Sequence, residues 1–257
     1  YTFTSVVDDI DMAITHVIRG EDHVTNTGVQ IQLFKALGGE PPAFGHHSLL
    51  VGADGQALSK RLRALSIESF RAEGLEPMAV VSHAALVGTS DAIQPHADPA
   101  ELAAMMDFDK ISMAPGRFDA AELHALNARL LLGLPYAAVA GRLQAGTTAQ
   151  SFWEAVRGNI TVFDDVRTWW TVTSGDITPV IEDRALLDAA AALLPPEPWD
   201  DATWGDWTAA VKVQTGAKGR ALFHPLRLAL TGRDTGPELK ALLPLIGRAR
   251  ALARLRT

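Results

Sequence analysis

The hydrophobic pattern of the first fifty residues favours strands on either side of one helix. Residues 3–8 (FTSVVD) and 14–18 (ITHVI) are rich in β-branched side chains, which favours two strands, the second buried on both faces. Apolar positions in residues 25–37 recur at roughly helical spacing. After Pro41-Pro42 the pattern predicts another strand at 48–51. Strand, helix and strand in this order predict a βαβ unit of a parallel, nucleotide-binding sheet.

From Ser66 onward the pattern of apolar positions is helical. Helices are predicted at residues 67–72, 77–86, 99–108 and from Asp119 to near Leu132, with an irregular linker at 109–119. Asp98 and Asp119 are suited to cap the last two of these helices. Residues 134–257 contain only helical segments separated by Gly or Pro. The sequence therefore predicts an α/β region followed by an all-α region.

Composition narrows the class of protein. The 257 residues are 47% hydrophobic and 21% charged and include no cysteine. They contain no apolar run near the ~20 residues that a membrane span needs, and no signal-peptide pattern. We therefore expect a cytoplasmic protein without disulfides or thiolate metal sites. Because a strand-like pattern begins at Tyr1 without a lead-in, we expect the chain to be part of a longer polypeptide.

Charge is distributed unevenly along the chain. The formal net charge is −7, yet residues 211–257 contain ten Lys and Arg against two acidic residues. A basic carboxyl-terminal segment in an otherwise acidic chain is typical of proteins that bind a polyanion such as RNA. Charge alone, however, favours a basic helix face that is exposed to solvent. Residues 176–206 hold eight acidic residues and a single arginine, and we expect that surface not to contact RNA.

Two segments carry candidate chemistry. Arg19 follows the predicted strand at 14–18 and precedes Gly20, at the kind of sheet edge where α/β proteins bind ligands. Its guanidinium suits a carboxylate, and the alternative is an ordinary salt-bridged arginine in a strand–turn–helix. The loop after the strand at 48–51 carries a basic cluster that could clamp a polyphosphate, Lys60, Arg61 and Arg63. The alternative there is an exposed basic loop.

Together these segments resemble the second half of the catalytic domain of bacterial-type glutamyl-tRNA synthetases, which are class I aminoacyl-tRNA synthetases. The resemblance is carried by HVIRGEDH at 16–23, HHSLLVG at 46–52, LSKR at 58–61 and KGRALFHPLRLALTGRDTGPEL at 218–239. It covers nearly the whole chain, and the joint occurrence is specific, whereas LSKR alone would be weak. It implies a partial Rossmann-like parallel sheet (its second half) in residues 1–51, the LSKR loop and a helical stem-contact domain in 52–133, and an all-helical anticodon-binding region in 134–257.

The resemblance also implies roles for individual residues. L-Glutamate would be bound by Tyr1 and Arg19, and ATP by Asp22, His23, Leu58 and Lys60. The mobile KMSKS-type loop of the family corresponds to residues 58–61, and its catalytic positions are Ser59, Lys60 and Arg61. Lys60 would stabilise phosphate charge while the carboxylate of glutamate attacks the α-phosphate. Catalysis of this kind consists mostly of positioning and needs no nucleophilic side chain.

The sequence departs from the family pattern in two ways. Ala57 stands where the family loop usually has a lysine, and Leu62-Arg63 stands where it has HG. The family motif His-x-Gly-His, which holds the ATP phosphates, does not occur in the sequence. His46-His47 is no substitute, because we place it between a helix and a strand. We therefore expect this chain to be inactive by itself.

Contacts with tRNA are implied for both helical regions. The candidate residues are Arg63, Lys110, Arg117, Lys218, Arg220 and Arg227. Trp204 and Trp207 could stack on bases, but their helical spacing favours the core. His83 and His124 lie among apolar helical positions and fit packed histidines better than metal ligands.

The activity implied is ATP-dependent activation of L-glutamate and its transfer to the 3′ end of tRNA-Glu. ATP and Mg²⁺ enter as a substrate complex, with no tightly bound cofactor and no dedicated metal site. The expected partners are L-glutamate, ATP and tRNA-Glu, with tRNA-Gln left open; we expect a monomer and no membrane contact. One alternative is a non-catalytic tRNA- or RNA-binding module of the same family. Another is a relative that glutamylates a modified tRNA base, against which the long helical region at 134–257 argues.

Overall fold

The computed structural model describes residues 1–56, 58, 65–143 and 149–257. Within them the chain divides into two compact units, residues 1–126 and 127–257. The strands of the first unit are β1 (His16–Gly20), β2 (Ala43–His47), β3 (Leu50–Gly52) and β4 (Gly116–Phe118). Its helices are α1 (Thr2–Asp11), α2 (Val24–Ala36), α3 (Ile67–Ala72), α4 (Pro77–Leu86), α5 (Pro99–Met105) and the beginning of α6 (Ala120–Gly133). The functional domain limits 1–51, 52–133 and 134–257 stay a prediction.

Residues 3–8 form part of a helix, so the strand predicted there is wrong. The helix α1 spans Thr2–Asp11. Its apolar residues are Phe3, Val6, Val7 and Ile10, which repeat at the three- and four-residue intervals of a helix. The β-branched composition concealed this period. The helix packs against α2, and Val6 is fully buried.

The predicted βαβ unit is present, with a different second strand. The strands β1 and β2 pair in parallel, and α2 lies between them in sequence. The strand predicted at 48–51 corresponds to β3, Leu50–Gly52, whereas the strand that pairs with β1 is β2, Ala43–His47, directly after Pro42. His46-His47 therefore lies on a strand, and its placement between a helix and a strand is wrong. Pairing with β1, rather than local β-propensity, makes this segment extended.

The prediction that the strand at 14–18, which corresponds to β1, is buried on both faces is also wrong. Ile18 in β1 is 47% exposed. The cause is that β2 alone pairs with β1 in the part of the chain that the structure describes. The helix predicted at 25–37 is confirmed as α2, and Gly38, with φ of 78°, follows its end. A short 3₁₀ helix, Glu21–His23, connects β1 to α2.

A second small sheet is formed by β3 and β4, which pair in parallel. The strand β4 lies in the segment 109–119, so the prediction of a wholly irregular linker is wrong. A Cβ atom on Gly116 would stand 3.2 Å from the Cα of Gly88 and 2.9 Å from a methyl carbon of Leu50. This close approach joins segments that are far apart in sequence, and periodicity within 109–119 therefore could not reveal it.

The helices predicted after Ser66 are present, but the one predicted at 99–108 ends at Met105. The helices α3 and α4 have the predicted limits. Asp98 Oδ1 accepts a hydrogen bond from the backbone N–H of Ala100 at 2.8 Å and so caps α5. Asp119 Oδ1 accepts from the N–H of Ala121 at 2.9 Å at the start of α6.

The described part of residues 127–257 is helical with connecting turns. Its helices after α6 are α7 (Tyr136–Val139), α8 (Ala149–Val156), α9 (Val166–Ser174), α10 (Arg184–Leu193), α11 (Thr203–Thr215), α12 (Arg220–Thr231), α13 (Leu239–Ile246) and α14 (Arg248–Arg256). The predicted order, an α/β region and then an all-helical region, is thereby confirmed for the described residues. None of the described helices combines the length and hydropathy that crossing a membrane requires.

Tryptophans lie at the centre of the second unit. Trp153 is fully buried and donates through Nε1 to the carbonyl oxygen of Leu134 at 3.0 Å. Trp207 is 2% exposed and donates to the carbonyl oxygen of Ala190 at 2.9 Å. Trp204 packs against this core, edge to face with Trp207 at 5.5 Å between ring centres. The prediction that Trp204 and Trp207 belong to the core is confirmed.

Candidate functional site

Arg19 lies near the carboxyl end of β1, two residues before the 3₁₀ helix that leads into α2. In the parallel pairing it stands opposite His46 of β2. The β-branched residues before it favour the strand, and the polar residues after it begin the helical turn. The βαβ unit therefore brings Arg19 to the sheet edge where ligands of α/β proteins bind.

The guanidinium of Arg19 is held by side chains of α2. Its Nη2 donates to Thr27 Oγ1 at 2.6 Å and to Gln30 Oε1 at 2.5 Å. The Arg19 Cζ atom also lies 5.3 Å from the ring centre of Phe44, within the range of a cation–π contact. Thr27 and Gln30 are 8% and 3% exposed, so their polar atoms are fixed inside the unit.

Two further side chains and one backbone carbonyl group complete this hydrogen-bonded cluster. Thr27 Oγ1 lies 2.9 Å from His46 Nε2 and donates to the carbonyl oxygen of His23 at 3.2 Å. Gln30 Nε2 donates to Ser5 Oγ of α1 at 3.1 Å. The cluster thus connects α1, β1, α2 and β2. We refer to Arg19, Thr27, Gln30, His46 and Ser5 as the arginine cluster.

Arg19 has no carboxylate within 4 Å in the residues that the structure describes. The alternative of an ordinary salt-bridged arginine therefore does not hold there. Its Nε atom is buried without a hydrogen-bond partner in the same part of the chain. A guanidinium with neutral partners keeps its whole positive charge, which favours binding of an anion.

The residues after Arg19 form a tight turn. A Cβ atom on Gly20 would stand 2.5 Å from Asp22 Oδ1 and 3.1 Å from a Leu49 methyl carbon. A larger residue at position 20 would therefore require the side chains of Asp22 and Leu49 to move. Asp22 is exposed, and its Oδ2 lies 3.8 Å from His23 Nε2.

A cleft of about 240 Å³ opens beside the ends of these strands within the first unit. Its lining includes Ile18, Glu21, His46, His47 and Met113. Arg19 is not among the residues that line it. Tyr1, predicted to line the glutamate pocket, is 86% exposed.

The predicted basic loop falls almost entirely outside the described residues. The positions of this loop and its flanks that lie outside the described residues include Ala57, Ser59, Lys60, Arg61, Leu62 and Arg63. Leu58 is described and is half-buried. Among the described residues no group of three or more His, Asp or Glu is arranged to hold a metal ion.

The residues predicted to bind tRNA have different surroundings. Lys110 Nζ lies 3.0 Å from Asp91 Oδ2, and Arg117 is exposed on β4. Lys218 and Arg220 are exposed on either side of Gly219, at the start of α12. Arg227 is half-buried and donates to the carbonyl oxygen of Pro237 at 3.1 Å, and burial lowers the pKa of its guanidinium.

The two predicted packed histidines lie in the first unit. His83 is 2% exposed on α4, in edge contact with Phe118, and its Nε2 lies 3.5 Å from Glu122 Oε2. Desolvation on burial lowers the pKa of His83, and the nearby Glu122 partly offsets that effect. His124 is more exposed, and its Nε2 lies 3.0 Å from Glu73 Oε2.

Sequence reasoning missed Thr27, Gln30, His46 and Ser5. A signal for two of them was present, because Thr27 and Gln30 are three residues apart and so share one face of α2. The same helix buries Phe34, which is 1% exposed. Polar side chains on the same helix face as a buried aromatic residue are expected to form buried hydrogen bonds.

Comparison with known families and proteins shows what the chain is similar to. Residues 1–125 match the family described as tRNA synthetases class I (E and Q), catalytic domain, and residues 178–257 match the family described as anticodon binding domain. The glutamate–tRNA ligase 2 of Beijerinckia indica is 58% identical over 261 residues, covering 99% of this chain and 58% of the relative. That of a Methylobacterium species is 56% identical over 260 residues, covering 100% and 58%. The chain thus spans less than two thirds of the length of these relatives.

The fold is similar to that of a solved structure. A crystal structure of a glutamate tRNA ligase from Elizabethkingia meningosepticum, in complex with its amino acid, has a TM-score of 0.82 to this chain. The match covers 99% of this chain and 59% of that protein, at 22% sequence identity. At this identity the likeness concerns the fold alone.

Proposed function

Because the chain belongs to the class I tRNA synthetases of the glutamate and glutamine (E and Q) type, we propose that it supplies part of a glutamate–tRNA ligase. In the first step a carboxylate oxygen of L-glutamate attacks the α-phosphorus of ATP, and pyrophosphate leaves. In the second step the terminal ribose hydroxyl of tRNA-Glu attacks the activated carbonyl carbon, and AMP leaves. ATP enters this reaction as its Mg²⁺ complex.

The observation that carries this proposal is the charge state of the arginine cluster. Arg19 is anchored by Thr27 and Gln30, which are both neutral, and has no carboxylate partner in the described part of the chain. The side-chain carboxylate of glutamate supplies the missing counter-charge. A fixed positive charge also disfavours glutamine, whose side chain is neutral, because the desolvated guanidinium would then lack a counter-ion.

Other residues take the remaining roles. Tyr1 contributes to the glutamate pocket, and ATP is bound by Asp22, His23, Leu58 and Lys60. Asp22 and His23 follow Arg19 at the same strand end, which supports their place beside the amino acid. Lys60, with Ser59 and Arg61, stabilises the charge that develops on the phosphates.

Binding of tRNA is assigned to both units. The stem-contact surface includes Arg63, Lys110 and Arg117. The anticodon surface lies within residues 178–257 and includes Lys218, Arg220 and Arg227, supported by the match of this region to an anticodon binding domain. Lys218 and Arg220 are the strongest candidates, because both are exposed, whereas Arg227 is partly used inside the fold.

We expect the 257-residue chain to be inactive alone, because its sequence lacks His-x-Gly-His. The test is glutamate-dependent exchange of pyrophosphate into ATP. It compares this chain with a joined polypeptide, in which the first part of the Beijerinckia relative, up to the region matched by Tyr1, precedes this chain. We expect exchange from the joined polypeptide only. Exchange by the chain alone would contradict its inactivity, and no exchange by the joined polypeptide would contradict the proposed ligase.

A second candidate function is a tRNA-binding module without catalysis. The absence of His-x-Gly-His and the exposed Lys218 and Arg220 favour it. Filter binding of this chain to transcripts of tRNA-Glu and tRNA-Gln, repeated over a salt titration, measures the affinity and the number of phosphate contacts. Steeply salt-dependent binding together with an inactive joined polypeptide would support the binding module over the ligase.

A further inference from the structure

The arginine cluster is unusual in the chemical type of its anchors. A partly buried arginine is commonly paired with a carboxylate, which neutralises it. Arg19 instead meets the amide of Gln30 and the hydroxyl of Thr27, at 2.5 and 2.6 Å from the same Nη2 atom. Both hydrogens of Nη2 are therefore used, while the charge of the guanidinium stays uncompensated within the described residues.

The orientation of Gln30 follows from hydrogen-bond chemistry. A guanidinium has only donors, so the amide must present Oε1 to Arg19. The amide Nε2 then faces Ser5 Oγ at 3.1 Å, where it donates. Because Gln30 is 3% exposed, water does not compete for either atom. Ser5 on α1 thus fixes Gln30, and Gln30 fixes Arg19.

The second anchor is held in the same way. Thr27 Oγ1 has one hydrogen, which it donates to the carbonyl oxygen of His23 at 3.2 Å. It accepts from Arg19 Nη2 at 2.6 Å, and His46 Nε2 of β2 lies 2.9 Å away. Hydrogen-bonding groups of β1, of β2 and of the 3₁₀ helix therefore surround the hydroxyl and fix its place.

We propose that Gln30 is a specificity-determining positioning residue. It holds the Nη2 edge of Arg19 in place with a neutral group, so that the positive charge remains for the carboxylate of the amino-acid substrate. This inference rests on the proposed ligase function. A glutamate at position 30 would keep the size and the contact with Arg19, but its charge would neutralise the guanidinium.

The test is Gln30→Glu in the joined polypeptide, assayed by amino-acid-dependent pyrophosphate exchange. We expect the KM for glutamate to rise about 10- to 100-fold, the size expected from losing one charge-assisted interaction, with kcat and the KM for ATP nearly unchanged. The preference for glutamate over glutamine should fall by a similar factor. The control is Gln32→Glu, which makes the same change at an exposed position of α2 and should alter neither constant.

Arg19→Ala serves as the reference variant. If Arg19→Ala raises the KM for glutamate and Gln30→Glu behaves like Gln32→Glu, the role of Gln30 is wrong and the ligase proposal stands. If Arg19→Ala leaves that KM unchanged, the assignment of the glutamate pocket is wrong.

Gln30→Met separates geometry from charge, since it removes the anchor without adding a charge. It should raise the KM for glutamate while the preference over glutamine is retained.

A measurement on the chain by itself tests the geometry without catalysis. The Nη hydrogens of Arg19 should give separate NMR resonances, because two short hydrogen bonds slow rotation of Nη2. Gln30→Met should merge these resonances, and Gln32→Glu should not. Averaged Arg19 resonances in the unchanged chain would overturn the anchoring by Gln30.

Discussion

Arg19 in the first unit and Arg254 in the second show two uses of the same side chain. Arg254 on α14 is 5% exposed and donates to the backbone carbonyl oxygens of Leu230 and Gly175, at 2.7 and 3.0 Å. These carbonyls lie at the carboxyl ends of α12 and α9, where helices leave acceptors unsatisfied. Arg19 is held by two neutral side chains, through one nitrogen.

The difference teaches that the partner of a buried cation indicates its task. The carbonyl groups at helix ends need hydrogen-bond donors in the folded state, so the hydrogen bonds of Arg254 stabilise the fold. The neutral side chains of Thr27 and Gln30 hold one edge of the Arg19 guanidinium and leave its positive charge available to a ligand. Burial lowers the pKa of Arg254, with the nearby Arg250 adding to this effect, which is the cost of a cation placed for structural reasons.

The largest effect is expected from Arg19→Ala in the joined polypeptide. Loss of the charged hydrogen bonds to the substrate carboxylate should raise the KM for glutamate on the order of 100- to 1,000-fold. The KM for ATP should change little. Initial rates of pyrophosphate exchange at varied glutamate and ATP measure both constants. Equal loss of affinity for both substrates would place Arg19 with Arg254, as a structural residue.

Arg254→Met tests the other side of the comparison. The change leaves two buried carbonyls without a donor, and we expect the free energy of unfolding to fall by about 2–4 kcal/mol. Urea denaturation followed by tryptophan fluorescence measures this. The matched control, Arg256→Met, lies at an exposed position of the same helix and should change stability by less than about 0.5 kcal/mol. Equal effects of the two variants would show that the helix-end contacts of Arg254 contribute nothing specific.

His83 is a buried side chain that, unlike Arg19 and Arg254, can lose its charge. Its pKa is lowered from 6.5 by desolvation, so the unfolded chain binds a proton more readily than the folded one. Stability is therefore fully present above pH 6.5 and is lost as pH falls below that value. Urea unfolding at pH 8 to 5 should show a smaller loss on acidification for His83→Gln than for the unchanged chain. His47→Gln, at an exposed position, is the control and should leave the pH profile as it is.

The smallest effect is expected from Arg220, an exposed arginine without a hydrogen bond among the described residues. If it contacts a tRNA phosphate, Arg220→Ala should reduce the slope of log affinity against log salt by about one. Filter binding to a tRNA-Glu transcript measures this slope. Arg233→Ala, which removes an exposed arginine beside Trp169, is a matched control for the loss of one charge. Identical slopes for both variants and the unchanged chain would remove Arg220 from the interface.

The sequence predicted the helices best and the strands least well. The limits of α3 and α4 follow from local periodicity and punctuation by Gly and Pro, which act over a few residues. The strands β2 and β4 depend on partners distant in the chain, so local patterns missed both, whereas the strand predicted at 48–51 overlaps β3. In α1 the β-branched residues favoured a strand, while packing against α2 selected the helix.

The candidate site was predictable only in part, for a related reason. Arg19 is marked by its position between a strand and a glycine, which a linear pattern can show. Its two anchors lie on α2, but their own partners lie on α1 and β2, and the contact between Gln30 and Ser5 spans 25 residues. A hydrogen bond of this range depends on how helices are brought together, and the spacing of Thr27 and Gln30 on α2 does not indicate which residue they meet.

The hydroxyl of Thr27 has a consequence for substitutions in α2. It accepts from Arg19 Nη2 and lies within hydrogen-bond distance of His46 Nε2 and of the carbonyl oxygen of His23. One small side chain thus joins β1, β2 and the 3₁₀ helix. Valine has a similar shape but no hydroxyl, so it would remove all three contacts at once.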